Sequence, residues 1–288
     1  MPDRGPTSQR IGEGAGFPDH PHRGQVTITY MLEGYVNHED FAGHSGTIGP
    51  GDLQWMLAGQ GIMHAEMPKH FDDQGKRLPD PIGLQLWVDL PRIAKNSPPQ
   101  YQEMLGKQLP TVTPRLDQPI ETEGRNWSVK VIAGASHGIE SPVRSPEQGG
   151  TYILDIRVQP GGKVFQEIPP TWTSFMYTLG PASVRIGDGS SSSNLAASQV
   201  HAPYHTLVLD DDTEQSANGV WIEHAGSSSE EARLMLFAAQ KLDQQVYQYG
   251  PFVVAERAHV QQAILDFQTG MNGFERAPGW RSKIGGRG

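Results

Sequence analysis

The chain has 288 residues, with 23 Lys and Arg against 32 Asp and Glu for a formal charge of −9; that length holds one large domain or two ordinary ones and buries a sizeable core. The acidic balance argues against a protein that grips a nucleic-acid backbone by itself, and among 36% apolar residues no run reaches the roughly 18 that a membrane-spanning helix needs. Cysteine is absent, which excludes disulfides, thiolate metal sites and cysteine nucleophiles. Any metal must therefore sit on imidazole and carboxylate, and the expected location is reducing, cytoplasmic and/or nuclear and not secreted.

Gly (34) and Pro (23) are spread along the chain, a turn density that suits an all-β protein. Residues 1–15 are polar and glycine-rich and read as a mobile segment. Gln25–Leu32 is β-branched and aromatic and reads as a strand, with Asn37–Asp40 as the turn after it. Leu53–Leu57 and Ile62–Met67 are short strands bounded by glycine turns. Lys69–Pro81 is a charged surface loop, and Gly83–Leu90 is strand-like again.

Pro91–Pro119 is proline-rich and reads as a bridge between two halves. Asn126-Trp127-Ser128 has the form of a glycosylation site and, without secretion, reads as surface loop. Further strands are expected at Trp127–Ile132, Thr151–Val158, Ser174–Leu179, Val184–Ile186, Thr206–Leu209 and Arg233–Ala238, and Gly187–Ser198 is loop by composition. His259–Phe267 spaces Val260, Ile264 and Phe267 as on a helix, with Gly270 just past its end. A faint repeat sets Val26–Gly34 over Trp172–Gly180 and Gly83–Leu90 over Ala232–Ala239. Two related β-barrels explain the length, the turns and the repeat. The expected organisation is a first domain over 16–110, a linker over 111–125, and a second domain over 126–288 that ends in the helix.

Six of the eleven histidines lie between His20 and His70. His20-Pro21-His22 and His64-Ala65-Glu66 are i, i+2 pairs, and on a strand both members of such a pair face the same side. Two neighbouring strands inside a barrel can thus aim three imidazoles and a carboxylate at one point. Such a set leaves open positions on a six-coordinate metal, which suits O₂ or a substrate oxygen. The competing reading is that these are partly buried polar residues satisfied by hydrogen bonds. His38, His44 and His70 sit in turn-like or charged sequence and read as surface residues. His201, His205 and His224 lack an i, i+2 partner and read as structural or exposed. With the repeat offset, His20 falls on Gln166 and His22 on Ile168, so only the N-terminal half is expected to bind metal.

The strings GFPDHPHRG (Gly16–Gly24), HEDFAGHSG (His38–Gly46), PGDLQWMLAGQGIMHAEMP (Pro50–Pro68), GLQLWVDLP (Gly83–Pro91), YGPFVV (Tyr249–Val254) and AILDFQTGMNGFERAPGWRSKIG (Ala263–Gly285) resemble the pirin family of the bicupin superfamily. The resemblance runs from about Gly16 to the C-terminus. It implies two jelly-roll cupin barrels, with metal only in the first, held by His20, His22, His64 and Glu66. It also implies one Fe(II) per chain, although Mn, Ni or Cu also suit such donors. One departure is that pirins carry about thirty more residues, including an apolar strand, before GFPDHPHRG. A shortened N-terminus would leave a sheet edge unpaired beside the ligands.

The resemblance implies two kinds of role. One is an iron-dependent dioxygenase that cleaves flavonols such as quercetin with O₂, releasing carbon monoxide, with Glu66 as the base for the substrate hydroxyl. The partners are then a small aromatic substrate and O₂, and Trp55, Met56, Ile62 and Met63 are candidates for apolar walls. The other is a non-enzymatic, redox-sensing nuclear co-regulator that binds a transcription factor and reaches DNA only through it. A metal-free scaffold is a third reading. A monomer is expected.

Overall fold

A computed structural model of the chain describes residues 16–115, 124–145, 150–188, 198–209 and 219–285. The expected N-terminal segment 1–15, most of the expected linker (116–123) and most of the 187–198 loop lie outside the described residues.

The first of two units comprises Met1–Lys107 and Asp243–Gly288. Its strands are β1 (Phe17–His22), β2 (Gln25–Glu33), β3 (Val36–Asp40), β4 (Ser45–Ile48), β5 (Leu53–Leu57), β6 (Ile62–Pro68), β7 (Ile82–Asp89) and β8 (Gln100–Met104). They form two four-stranded sheets in the orders β1-β6-β3-β4 and β7-β2-β5-β8, with every pairing antiparallel. Eight strands in two such sheets make the jelly roll of a cupin. Strand β2 shows why this sequence suits it. Val26, Ile28 and Tyr30 bury one face, while Gln25, Thr27 and Thr29 put buried polar groups on the other.

Two segments read as irregular are strands. Val36–Asp40 is β3, where a turn was expected from Asn37, Glu39 and Asp40; pairing with β6 and β4 on both sides overrides the weak local preference. Gln100–Met104, inside the expected bridge, is β8 and extends the sheet on β5. Asn126-Trp127-Ser128 also lies in a strand. Asn126 takes φ 57° at an irregularity in the pairing, and Trp127 is buried.

The second unit, Gln108–Leu242, holds β9 (Thr111–Val112), β10 (Gly124–Ala133), β11 (Ala135–Ser136), β12 (Ile139–Glu140), β13 (Thr151–Glu167), β14 (Trp172–Thr178), β15 (Ser183–Asp188), β16 (Val200–His201), β17 (Thr206–Leu209), β18 (Gly219–Ala225) and β19 (Ala232–Gln240). The repeat is visible in the pairing. Val26–Gly34 covers most of β2, which lies between β5 and β7, and Trp172–Gly180 covers β14, which lies between β17 and β19. Gln166, in the place of His20, is buried opposite Val220 and accepts a 2.8 Å hydrogen bond from Ser136 Oγ.

The domain boundary differs from the expected 126–288. After β19 the chain returns to the first unit, where β20 (Tyr247–Tyr249) and β21 (Phe252–Val254) form a hairpin and α1 spans Ala258–Thr269. Phe252, Val254, Ala263, Phe274 and Ala277 share an apolar cluster with Phe41, Met56, Ala58, Ile62 and Met63 of the first barrel. The helix needs cover for its apolar stripe, and periodicity in the sequence carries no information on which barrel supplies it. Gly270 ends the helix in the left-handed region (φ 68°), its N–H returning to Asp266 O. Among the described residues no helix is long and apolar enough to cross a membrane.

Candidate metal centre

Strands β1 and β6 run antiparallel with His20 opposite His64 and His22 opposite Ile62. The i, i+2 spacing puts both β1 imidazoles on the face that His64 shares. One ring nitrogen from each of His20, His22 and His64 lies within 4.8 Å of the others. The ring centroids are 4.3 Å apart for His20 and His64, 4.9 Å for His20 and His22, and 5.0 Å for His22 and His64.

Each ring is held so that a nitrogen is left over. His20 Nδ1–H donates to Pro18 O at 2.8 Å; a carbonyl can only accept, so Nε2 keeps its lone pair. The amide of Gln25 lies 2.8 Å from His22 Nδ1, and Gln25 Oε1 has no partner. With the amide turned end for end, that oxygen accepts the Nδ1–H and the His22 Nε2 lone pair is free. His64 is fully buried and neither of its ring nitrogens has a hydrogen-bond partner. A buried polar group left unpaired costs about 1–3 kcal/mol, a penalty that a bound cation removes.

The electrostatics agree. Burial, and then the neighbouring His20, push His22 down to about 3. Burial, and then His20, His22 and His38, hold His64 well below the ordinary imidazole range. Both rings are thus neutral at pH 7, the form that binds a metal. Three converging imidazoles fit a first-row divalent cation.

Glu66 is on the same face of β6 and is buried, but it stands outside the group of three. Its Oε1 accepts from Thr29 Oγ1 at 3.1 Å and its Oε2 from Gln85 Nε2 at 2.8 Å. Gln85 also donates to Thr29 Oγ1 and accepts from Trp87 Nε1, both at 3.2 Å. The Trp87 ring meets His22 edge-on, with centroids 5.2 Å apart at 90°.

The other histidines fall elsewhere. His38, expected at the surface, is buried on β3, where Nε2–H donates to Glu103 Oε2 at 2.8 Å; the strand that sequence alone missed turns it inward. His44 is half-exposed, with Nδ1–H donating to Asp40 Oδ2 at 2.7 Å. The ring nitrogens of His70 are also buried, against the surface expectation. His224 is structural, donating from Nε2 to Glu230 O at 2.9 Å.

The expected apolar walls do not line the centre as a set. Trp55 pairs with Ile28, on the face of the sheet away from Thr27 and Thr29. Met56, Ile62 and Met63 are core, packed with the C-terminal segment. What sequence reading missed was the supporting shell of Gln25, Thr29, Gln85 and Trp87. Its signal was present: polar residues at alternate positions of an otherwise apolar strand mark a buried polar face.

The chain matches the family model Pirin over residues 2–88 and the model Pirin C-terminal cupin domain over residues 153–273. It is 42% identical to Pirin of Homo sapiens, covering 95% of this chain and 83% of that protein. It is 41% identical to Pirin-like protein 2 of Arabidopsis thaliana, covering 93% and 74%. Among solved structures it is similar to quercetin 2,3-dioxygenase from Acinetobacter baumannii, with 26% identity, a TM-score of 0.71, and coverage of 88% of this chain and 78% of that one. Two barrels of the cupin type, matched in order along nearly the whole length, place the chain in the pirin family.

Proposed function

We propose that the chain is a metal-dependent dioxygenase of flavonols such as quercetin, working at the N-terminal barrel. The observation that carries this reading is the convergence of His20, His22 and His64, with the buried nitrogens of His64 left without any protein partner. The similarity to a quercetin 2,3-dioxygenase supports the substrate class. In this reading the three histidines and Glu66 hold one iron ion. Bound there, Fe(II) supplies Lewis acidity toward the substrate oxygen and one-electron access to O₂.

The residues of the chain do the rest. His20 is oriented by Pro18 O and His22 by the Gln25 amide, so neither ring has to reorganise. Glu66 takes the proton of the flavonol 3-hydroxyl, while Thr29 and Gln85 fix where its two oxygens point. The resulting flavonolate is electron-rich. Its reaction with O₂ opens the central ring and gives an ester acid and carbon monoxide, using one O₂ per flavonol.

The test begins with metal content of anaerobically purified protein beside a His64→Ala control, followed by quercetin and O₂ consumption. About one iron per chain, lost in the control, with equal loss of quercetin and O₂, is expected. Glu66→Gln should stop turnover even where iron remains. Full iron loading without quercetin loss would overturn the enzymatic reading.

A further inference from the structure

Among the described residues, β1 ends one sheet of the first barrel and β7 ends the other. Each edge strand places an exposed aromatic ring beside one of the converging histidines. On β1, Phe17 is 56% exposed, and its ring lies 6.3 Å from that of His20. On β7, Trp87 is 45% exposed, and its ring lies 5.2 Å from that of His22. Phe17 is also the register partner of Glu66. Trp87 reaches the same carboxylate through Gln85, which accepts its indole N–H and donates to Glu66.

Neither ring is in the barrel core. Burying aromatic surface stabilises a fold, and these two rings instead stand partly in water, each beside one of the converging imidazoles. Two such rings flank one cluster of imidazoles, one on each sheet. They are rigid, with few torsions to immobilise when a flat ligand is taken up.

We propose that Phe17 and Trp87 form the two walls of a slot for a planar aromatic ligand, and that they set its affinity and orientation at the centre. The ligand class rests on the flavonol reading above. In the slot, the rings meet the faces or edges of the ligand while its hydroxyl end is directed toward Glu66. Gln85 ties the Trp87 wall to that carboxylate, so the same side chain that contacts the ligand helps to position the base. Trp87 and Phe17 are binding and positioning residues and take no part in proton transfer.

The experiment is anaerobic titration of quercetin into iron-loaded full-length protein, followed by the flavonol absorbance, so that binding is read without turnover. Trp87→Ala and Phe17→Ala should each weaken Kd by about tenfold, and Trp87→Phe should restore it to within about threefold of wild type. Iron content should stay near one per chain in all three, since both side chains are exposed and neither offers a metal a donor. Unchanged Kd in both alanine variants at full iron content would overturn the slot, as would wild-type protein that does not bind quercetin. Ring-dependent binding without oxygen-dependent turnover would leave the slot standing and remove the dioxygenase reading. Turnover with ring-independent binding would do the reverse.

Discussion

Arg23 and Asp266 stand 243 positions apart in sequence and form a buried ion pair of 2.7 Å. Arg23 follows His22 directly, and its other guanidinium nitrogens are also engaged. Nε donates to Gln60 O at 2.6 Å and Nη2 to Asn272 O at 2.7 Å, with the Phe274 ring 4.8 Å away. The C-terminal segment is thus fastened beside the candidate centre through one side chain. Removing one partner leaves a buried charge uncompensated, which costs about 3–5 kcal/mol. Arg23→Met and Asp266→Leu should each lose that much in urea denaturation, and the double variant should regain part of it. Single-variant losses under about 0.5 kcal/mol would show that the pair holds nothing.

The same pair predicts an acid limit. Burial works to raise the Asp266 carboxyl, but hydrogen bonds from Arg23, Gln262 and Asn272 outweigh it and hold the group below its ordinary 3.8. Because the folded value is depressed, the unfolded chain takes up the proton first. The contribution is complete above about pH 4 and is lost as pH falls through the depressed value. Thermal melts below pH 4 should show wild-type stability falling more steeply than that of Asp266→Asn. Parallel curves would assign the acid limit to other carboxylates.

Gln25 has no donor to offer a metal as effectively as an imidazole, yet it faces His22 Nδ1 from a buried position on β2. Removing such a supporting group costs about 10–100-fold in metal affinity in other metal sites. Gln25→Leu keeps the volume and deletes the hydrogen bond. Competition against a metal chelator should show weakened metal retention in that range with the fold intact. Retention equal to wild type would mean that packing alone orients His22.

Much of this architecture was legible because it follows from period. Leu53–Leu57 and Thr206–Leu209 are strands at the predicted bounds, and His20, His22 and His64 meet because alternation on paired strands requires it. What was not legible depends on pairing between distant segments. Val36–Asp40 carries turn-like residues, and only its two neighbours make it a strand. The helix was readable as a helix, but its attachment to the first barrel rests on Arg23 and on the apolar cluster around Phe274. Glu66 illustrates the remaining gap. Its spacing placed it on the right face, but spacing gives no sign that Thr29 and Gln85 occupy its oxygens.

The strand that sequence reading missed carries its own prediction. His38 and Tyr101 both donate to Glu103 Oε2, at 2.8 and 2.7 Å, and the Tyr101 ring stacks on His44 at 4.6 Å. Burial, and then Glu103, keep the phenol protonated far above its ordinary range, so it is a permanent donor here. This joins β3 of one sheet to β8 of the other. Tyr101→Phe keeps the ring and deletes the hydroxyl that donates to Glu103, and about 2 kcal/mol of stability should be lost. Metal content should not change, because none of the three converging histidines hydrogen-bonds to this group. A loss of metal at unchanged stability would instead tie the network to the centre.

The tightest constraint near the centre is backbone. Gly24 lies two residues after His22 with φ 77°, in the left-handed region where a side chain is strained. A Cβ there would stand 1.9 Å from Val253 O, a backbone atom that cannot rotate away. Val253 is itself fixed, since its N–H donates to Arg23 O at 2.9 Å. Gly24→Ala must therefore push β21 away from the end of β1 and break that hydrogen bond. The strain and the lost contact act together, and a stability loss of several kcal/mol is expected, more than the roughly 1 kcal/mol of an ordinary glycine change. Because the displaced strand leads into α1, protease cleavage should appear first between β21 and the helix. An alanine variant with wild-type melting and no new cleavage would show that β1 and the C-terminal segment are not coupled through this contact.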